Sequence, residues 1–130
     1  GIGVHGLQSS VSRASPPPLS VAINRNLRDN RQEPVLEALD AQVDVKISAT
    51  GFHFLEVLEG RVDTQLMLRK ASKKWDTCAG EALIKGVGGA LTDTAGRRYA
   101  YNFNPSALQN LCGIVTSADA ALHSDVMKVI

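Results

Sequence analysis

The chain has 130 residues, the size of one domain with room for a real core, and its 44% hydrophobic and 21% charged residues are ordinary for a soluble globular protein. A net charge of +1 gives no bulk electrostatic reason for binding nucleic acid or a membrane surface. No apolar run approaches the roughly 20 residues of a membrane span, and no signal peptide is visible. Cys78 and Cys112 are too few for a secreted disulfide framework and read as thiols in a reducing compartment. That favours a cytoplasmic location, with an endomembrane lumen as the alternative.

Gly1, Gly3 and Gly6 have the spacing of a dinucleotide-binding fingerprint, but that motif needs a strand before it and a helix after it. A tight bend or strand end accounts for them better. Residues 8–18 are rich in Ser and Pro and end in Pro16, Pro17 and Pro18, so they read as a loop. The opening run looks like the inside of a fold, which suggests a processed chain, a truncated one or one half of something larger.

Residues 19–23 form an aliphatic, β-branched strand. The polar loop 24–30 follows at its C-terminal end, where ligands usually bind in open α/β sheets. Glu33 and Pro34 start a short amphipathic helix over 35–39. Residues 43–47 alternate as a strand, and 48–51 are a small-residue turn. Residues 52–59 make a mostly apolar helix ending at Gly60. A strand over 62–68 places Val62, Leu66 and Leu68 on one face.

Residues 73–96 then read as a strand end, a carboxylate, a helix, a glycine stop, a short strand and a tight turn. Asp76 stands at the helix start as an N-cap, with Cys78, Ala79 and Gly80 leaving room for a close approach. Gly88 and Gly89 end the helix. Residues 98–101 suggest a short returning strand, 111–115 a last core strand, and 118–130 a terminal helix with Ala121, Leu122, Val126 and Val129 inward. This alternation gives an α/β layered domain, 1–130, with a mostly parallel sheet.

Trp75-Asp76, Cys78-Ala79-Gly80, Gly88-Gly89 and Thr92-Asp93 with Gly96 resemble the C-terminal signature of the inositol monophosphatase-like, magnesium-dependent, lithium-sensitive phosphatases. Lys73 and Lys74 before Trp75 look most like the 3'(2'),5'-bisphosphate nucleotidase branch, and Cys-Ala-Gly after Thr77 is similar to its Golgi-type members. More weakly, residues 1–6 and the stretch from Leu58 to Asp63 are similar to family segments. The resemblance implies the C-terminal half of the family's α-β-α-β-α sugar-phosphatase fold, with the N-terminal metal-binding half absent. It also implies a hydrolase in which magnesium polarises a phosphate and activates water. Asp76 matches the family's metal-binding aspartate. The family's Glu-Glu pair and Asp-Pro-x-Asp-Gly-Thr motif do not occur, so no catalytic residue beyond the metal ligand is carried over, and the fragment alone is expected to be inactive.

Substrate positions fit less closely. The loop Asn24-Arg25-Asn26-Leu27 keeps the family's arginine and loses its histidine. The family's Gly-Ala-Gly-x-Lys turn corresponds to Ala49-Thr50-Gly51-Phe52-His53, with His53 in place of lysine. The substrate-binding expectation is therefore Arg25, Gly51, His53 and Lys73, acting on a small phosphate-bearing molecule: adenosine 3',5'-bisphosphate or a related compound, or else an inositol phosphate. A non-catalytic interaction module built from this half is the other class, and association with the missing half or with a second copy is expected from exposed apolar surface.

Each residue also has a purely structural account. Asp76 is complete as a helix cap, Lys73 and Lys74 as a solvated pair, and Arg25 as a surface residue. His53 reads as a satisfied buried histidine, Trp75 as core packing, and Cys78 as a small packing residue. Asp93 organises its own turn. His5 and His123 belong to no constellation.

Overall fold

The structure, a computed structural model, describes residues 18–130 except 28, 47, 48, 71, 103, 105 and 106, with backbone alone at 27, 45 and 46. The glycine run at Gly1–Gly6 and nearly all of the Ser- and Pro-rich loop lie outside the described residues.

In chain order the elements are β1 (Ser20–Asn24), α1 (Gln32–Ala38), β2 (Gln42–Lys46), α2 (Thr50–Leu58), β3 (Thr64–Met67) and β4 (Ser72–Lys73), then α3 (Lys74–Gly86), β5 (Ala90–Thr92), β6 (Gln109–Asn110), β7 (Ile114–Ser117) and α4 (Ala120–Met127). Five strands form one sheet in the order β2-β1-β3-β7-β5, and β4 pairs with β6 in a small separate ladder. Both β2 and β3 run parallel to β1, with Val21 opposite Val43 and Thr64. Strand β7 is antiparallel to both β3 and β5, so it alone runs against the other four. The sheet is mostly parallel, as the alternation of elements implies.

The period of two along β1 divides the core. Val21 and Ile23 join Val35 and Leu36 of α1 and Val126 of α4 on one face. Ala22 faces the opposite way, against Val57 of α2, Ile84 of α3 and Val87 just past the end of α3. Helices thus cover both faces, which is why the central strands read as almost continuous apolar runs. The Gly88-Gly89 pair ends α3 by dividing the task. Gly88 takes a φ of +87°, the left-handed stop, and Gly89 lies so close to β7 that a Cβ would stand 2.3 Å from the Ser117 carbonyl oxygen.

Several boundaries differ from the sequence reading. Residues 98–101 form no strand. The last core strand starts at Ile114, and Leu111 sits in a turn, 62% exposed. Val62 precedes β3 and falls into the opposite cluster from Leu66 and Leu68, because strand alternation begins only at Thr64. Helix α4 is shorter than 118–130, with Ala121 and Val129 outward and His123 inward. Among the described residues no helix is long and apolar enough to cross a membrane.

Candidate functional site

Strands β1, β2 and β3 point the same way, so the segments after their carboxyl ends meet at one edge of the sheet. The chain leaves β1 for α1 on one face and leaves β3 for α3 on the other. The chain therefore changes face between β1 and β3, the topological position outside which ligands bind in open α/β sheets. Arg25 opens a 3-10 turn directly after β1. The Oδ1 of Asn24 accepts the Asn26 N–H at 3.0 Å, which closes that turn and leaves Arg25 exposed. Gly51 is in the first turn of α2, after β2, and a Cβ there would meet no atom within 4 Å. Lys73 and Asp76 follow β3.

The start of α3 differs from the expected cap. Lys73 is extended (φ −117°, ψ 162°) and is the N-cap, and Asp76 is the third helical residue. The cause is β6: Ser72 and Lys73 pair with Asn110 and Gln109, which carries extended backbone right up to the helix. Asp76 reaches back, its Oδ2 accepting the Lys73 N–H at 2.8 Å. This is the acidic half of a capping box. Both side chains are exposed, and the Lys73 ammonium lies 4.7 Å from the centroid of the Trp75 ring. Trp75 is not core packing; it is 56% exposed.

The small residues after Asp76 do not all open space for a ligand. Cys78 and Ala79 face solvent, but Gly80 is covered by α2, where a Cβ would lie 2.1 Å from Phe54 Cδ2. His53, on the same helix as Phe54, is 1% exposed, so its imidazole belongs to the interior and not to the open edge. Arg25, Gly51 and the Lys73–Asp76 turn each follow one of the parallel strands β1, β2 and β3 in the chain, whereas His53 is interior.

Beneath the α3 start is a polar network that no motif announces. Buried Asn110 donates from Nδ2 to Ser72 Oγ at 2.9 Å and to Thr77 Oγ1 at 3.2 Å, and Tyr101 donates to Thr77 Oγ1 at 3.2 Å. Burial, with the Glu81 carboxylate beside it, pushes the Tyr101 phenol above its ordinary range. Glu81, 2% exposed, is paired with Lys85 at 2.8 Å and Arg98 at 3.6 Å. No pattern in the sequence marks Asn110 as inward, since Gln109 and Asn110 are simply two adjacent polar residues. Asp93, by contrast, organises its turn: it accepts from Ala95 N at 2.8 Å and Arg97 N at 2.9 Å.

Asp76 presents an exposed oxygen donor of the kind magnesium takes. Among the described residues no three His, Cys, Asp or Glu side chains gather into a metal-binding group. The residues present fit one ligand position of a magnesium site, since magnesium is held by about one or two carboxylates together with phosphate and water.

A family model described as the inositol monophosphatase family matches residues 6–129. The 3'(2'),5'-bisphosphate nucleotidase 1 of Dictyostelium discoideum is 29% identical over 132 aligned residues, which cover 98% of this chain and 42% of that protein. The human inositol polyphosphate 1-phosphatase is 25% identical, over 72% of this chain and 27% of that protein. The chain therefore spans less than half the length of these relatives. Among solved structures, an IMPase from Thermotoga maritima superposes with a TM-score of 0.66 at 21% identity, over 91% of this chain and 42% of that one. That likeness shows the shared fold.

Proposed function

The chain belongs to the inositol monophosphatase family, and from that premise we propose that it is the C-terminal part of a magnesium-dependent phosphomonoesterase that removes the 3'-phosphate of adenosine 3',5'-bisphosphate or a related compound. The observation that supports this reading is topological: Arg25, Gly51 and the Lys73–Asp76 turn each follow one of the three parallel strands β1, β2 and β3. In this reading bound magnesium supplies Lewis-acid polarisation of the phosphate. The chain's own residues bind and orient. Asp76 contributes one metal ligand, Lys73 a point charge for a phosphate oxygen, and Arg25 a planar fork suited to phosphate. Gly51 offers a bare backbone for close approach. His53 acts by packing α2 behind the site.

Metal ligands beyond Asp76 come from outside the described residues, so the 130 residues alone release little or no phosphate. Phe52, Leu55 and Leu83 are exposed on α2 and α3, which supports association of that layer with a further part of the protein or with a second copy. A cytoplasmic location belongs to the same reading and is checked by fractionation of a tagged protein.

The test is phosphate release by the longer protein that carries this chain. Magnesium dependence, lithium inhibition and preference for adenosine 3',5'-bisphosphate over inositol phosphates are the expected outcome. Robust turnover by the 130 residues alone overturns the one-ligand reading. A second reading, an inositol phosphate phosphatase, is favoured by the missing histidine after Arg25, and the same assay separates the two by substrate. No hydrolysis of either substrate class by the longer protein favours the non-catalytic module.

A further inference from the structure

We propose that Asn110 is a positioning residue that fixes the turn carrying Lys73 and Asp76; the proposal rests on the reading of those two residues as phosphate and metal contacts. Ser72 directly precedes Lys73, and Thr77 directly follows Asp76. The Nδ2 of Asn110 donates to Ser72 Oγ at 2.9 Å and to Thr77 Oγ1 at 3.2 Å, so one amide group clasps both ends of the turn. Backbone pairing of Ser72 with Asn110 and Lys73 with Gln109 holds the incoming strand, and Lys74 N–H donates to Leu108 O at 2.7 Å. Thr77 Oγ1 in turn donates to Lys74 O at 3.1 Å.

Two features assign this clasp to positioning. Lys73 and Asp76 are exposed, so water competes for the one hydrogen bond between them, and their placement falls to the buried layer below. Asn110 is 0% exposed, and its Oδ1 accepts no hydrogen bond from the described residues. A buried amide oxygen without a partner costs stability, and an apolar side chain of similar size avoids that cost. Stability alone does not account for an asparagine here. Its two donors, each spent on one end of the site-bearing turn, do. Partners that orient ligands from behind have this character.

The test follows amide hydrogen exchange residue by residue, with a magnesium titration in the presence of inorganic phosphate read from Trp75, the single tryptophan. In Asn110→Ala the amides of Lys73 and Lys74 are expected to exchange about tenfold faster while those of β1 and β3 keep their rates. The magnesium midpoint is expected to rise about tenfold. Thr77→Val should copy this behaviour and Thr77→Ser should retain the original rates; Thr77→Val also serves if Asn110→Ala does not fold. Unchanged exchange at Lys73 and Lys74 overturns the proposal. So does acceleration of the core amides in step with them, which marks general loosening. If the unaltered chain gives no magnesium response, one carboxylate is too little to hold the ion without the remaining ligands, and the exchange rates alone decide whether Asn110 holds the turn.

Discussion

The Oδ2 of Asp76 accepts the backbone N–H of Lys73 at 2.8 Å, so the carboxylate read as a metal ligand also closes the turn that presents the neighbouring ammonium. The two roles separate by substitution. Asp76→Ala removes the acceptor and is expected to cost about 1 kcal/mol of stability, whereas Asp76→Asn keeps an acceptor of the same shape and costs a few tenths. Both remove the charge, so magnesium affinity in the presence of phosphate should fall about tenfold or more in each, because affinity for such cations follows ligand charge. Calorimetric titration checks this. Undiminished magnesium affinity in Asp76→Asn would leave Asp76 with the cap alone.

The close contact between Gly80 and Phe54 gives a packing prediction. An alanine Cβ at 80 would lie 2.1 Å from Phe54 Cδ2 and 2.7 Å from Phe54 Cε2, both ring atoms of a buried side chain. Gly80→Ala ordinarily favours a helix, by about 1 kcal/mol. Here overpacking should reverse the sign, to a loss of about 1–3 kcal/mol in urea unfolding. Gly80→Ala combined with Phe54→Leu should recover part of that loss. A stabilised Gly80→Ala single variant would show that α2 and α3 are not this close.

These contacts mark what the sequence could and could not disclose. The unit from Lys73 to Gly96 was legible because its punctuation is local: Gly88 at φ +87° ends α3, and the Asp93 carboxylate closes its own turn. The parallel strands were legible from β-branched runs. Strand β6 was not, because Gln109 and Asn110 form a short, polar segment whose identity as a strand depends on distant Ser72 and Lys73. The exposure of Trp75 and the inward turn of His123 are likewise tertiary outcomes. Apolar character predicts burial only on average, and a histidine is buried where a partner waits.

Lys73 and Trp75 give the site an intrinsic optical probe. The ammonium stands 4.7 Å from the ring centroid, a contact worth about 0.5–1 kcal/mol at an exposed position. Lys73→Met should therefore leave stability nearly unchanged and shift the emission of the single tryptophan. Inorganic phosphate should perturb that emission in the unaltered chain and not in Lys73→Met. An identical response in both would take Lys73 out of the anion site.

His123 makes stability pH-dependent. Its Nε2 lies 3.1 Å from Thr92 Oγ1 and 3.3 Å from Val115 O, and the Thr92 hydroxyl donates to Asp93 O at 2.9 Å. The Nε2 therefore carries a proton directed at these two acceptors. Burial lowers its pKa below the ordinary value of 6.5, the Val115 carbonyl opposing this only in part. Between the lowered folded value and 6.5 the unfolded chain binds a proton that the folded chain refuses, so stability rises with pH. The full contribution is present above 6.5 and is lost as pH falls through the folded value. His123→Gln should lose less stability than the unaltered chain when urea midpoints are compared at about pH 7.5 and about pH 5. Equal losses in the two proteins would assign the acid sensitivity to other groups.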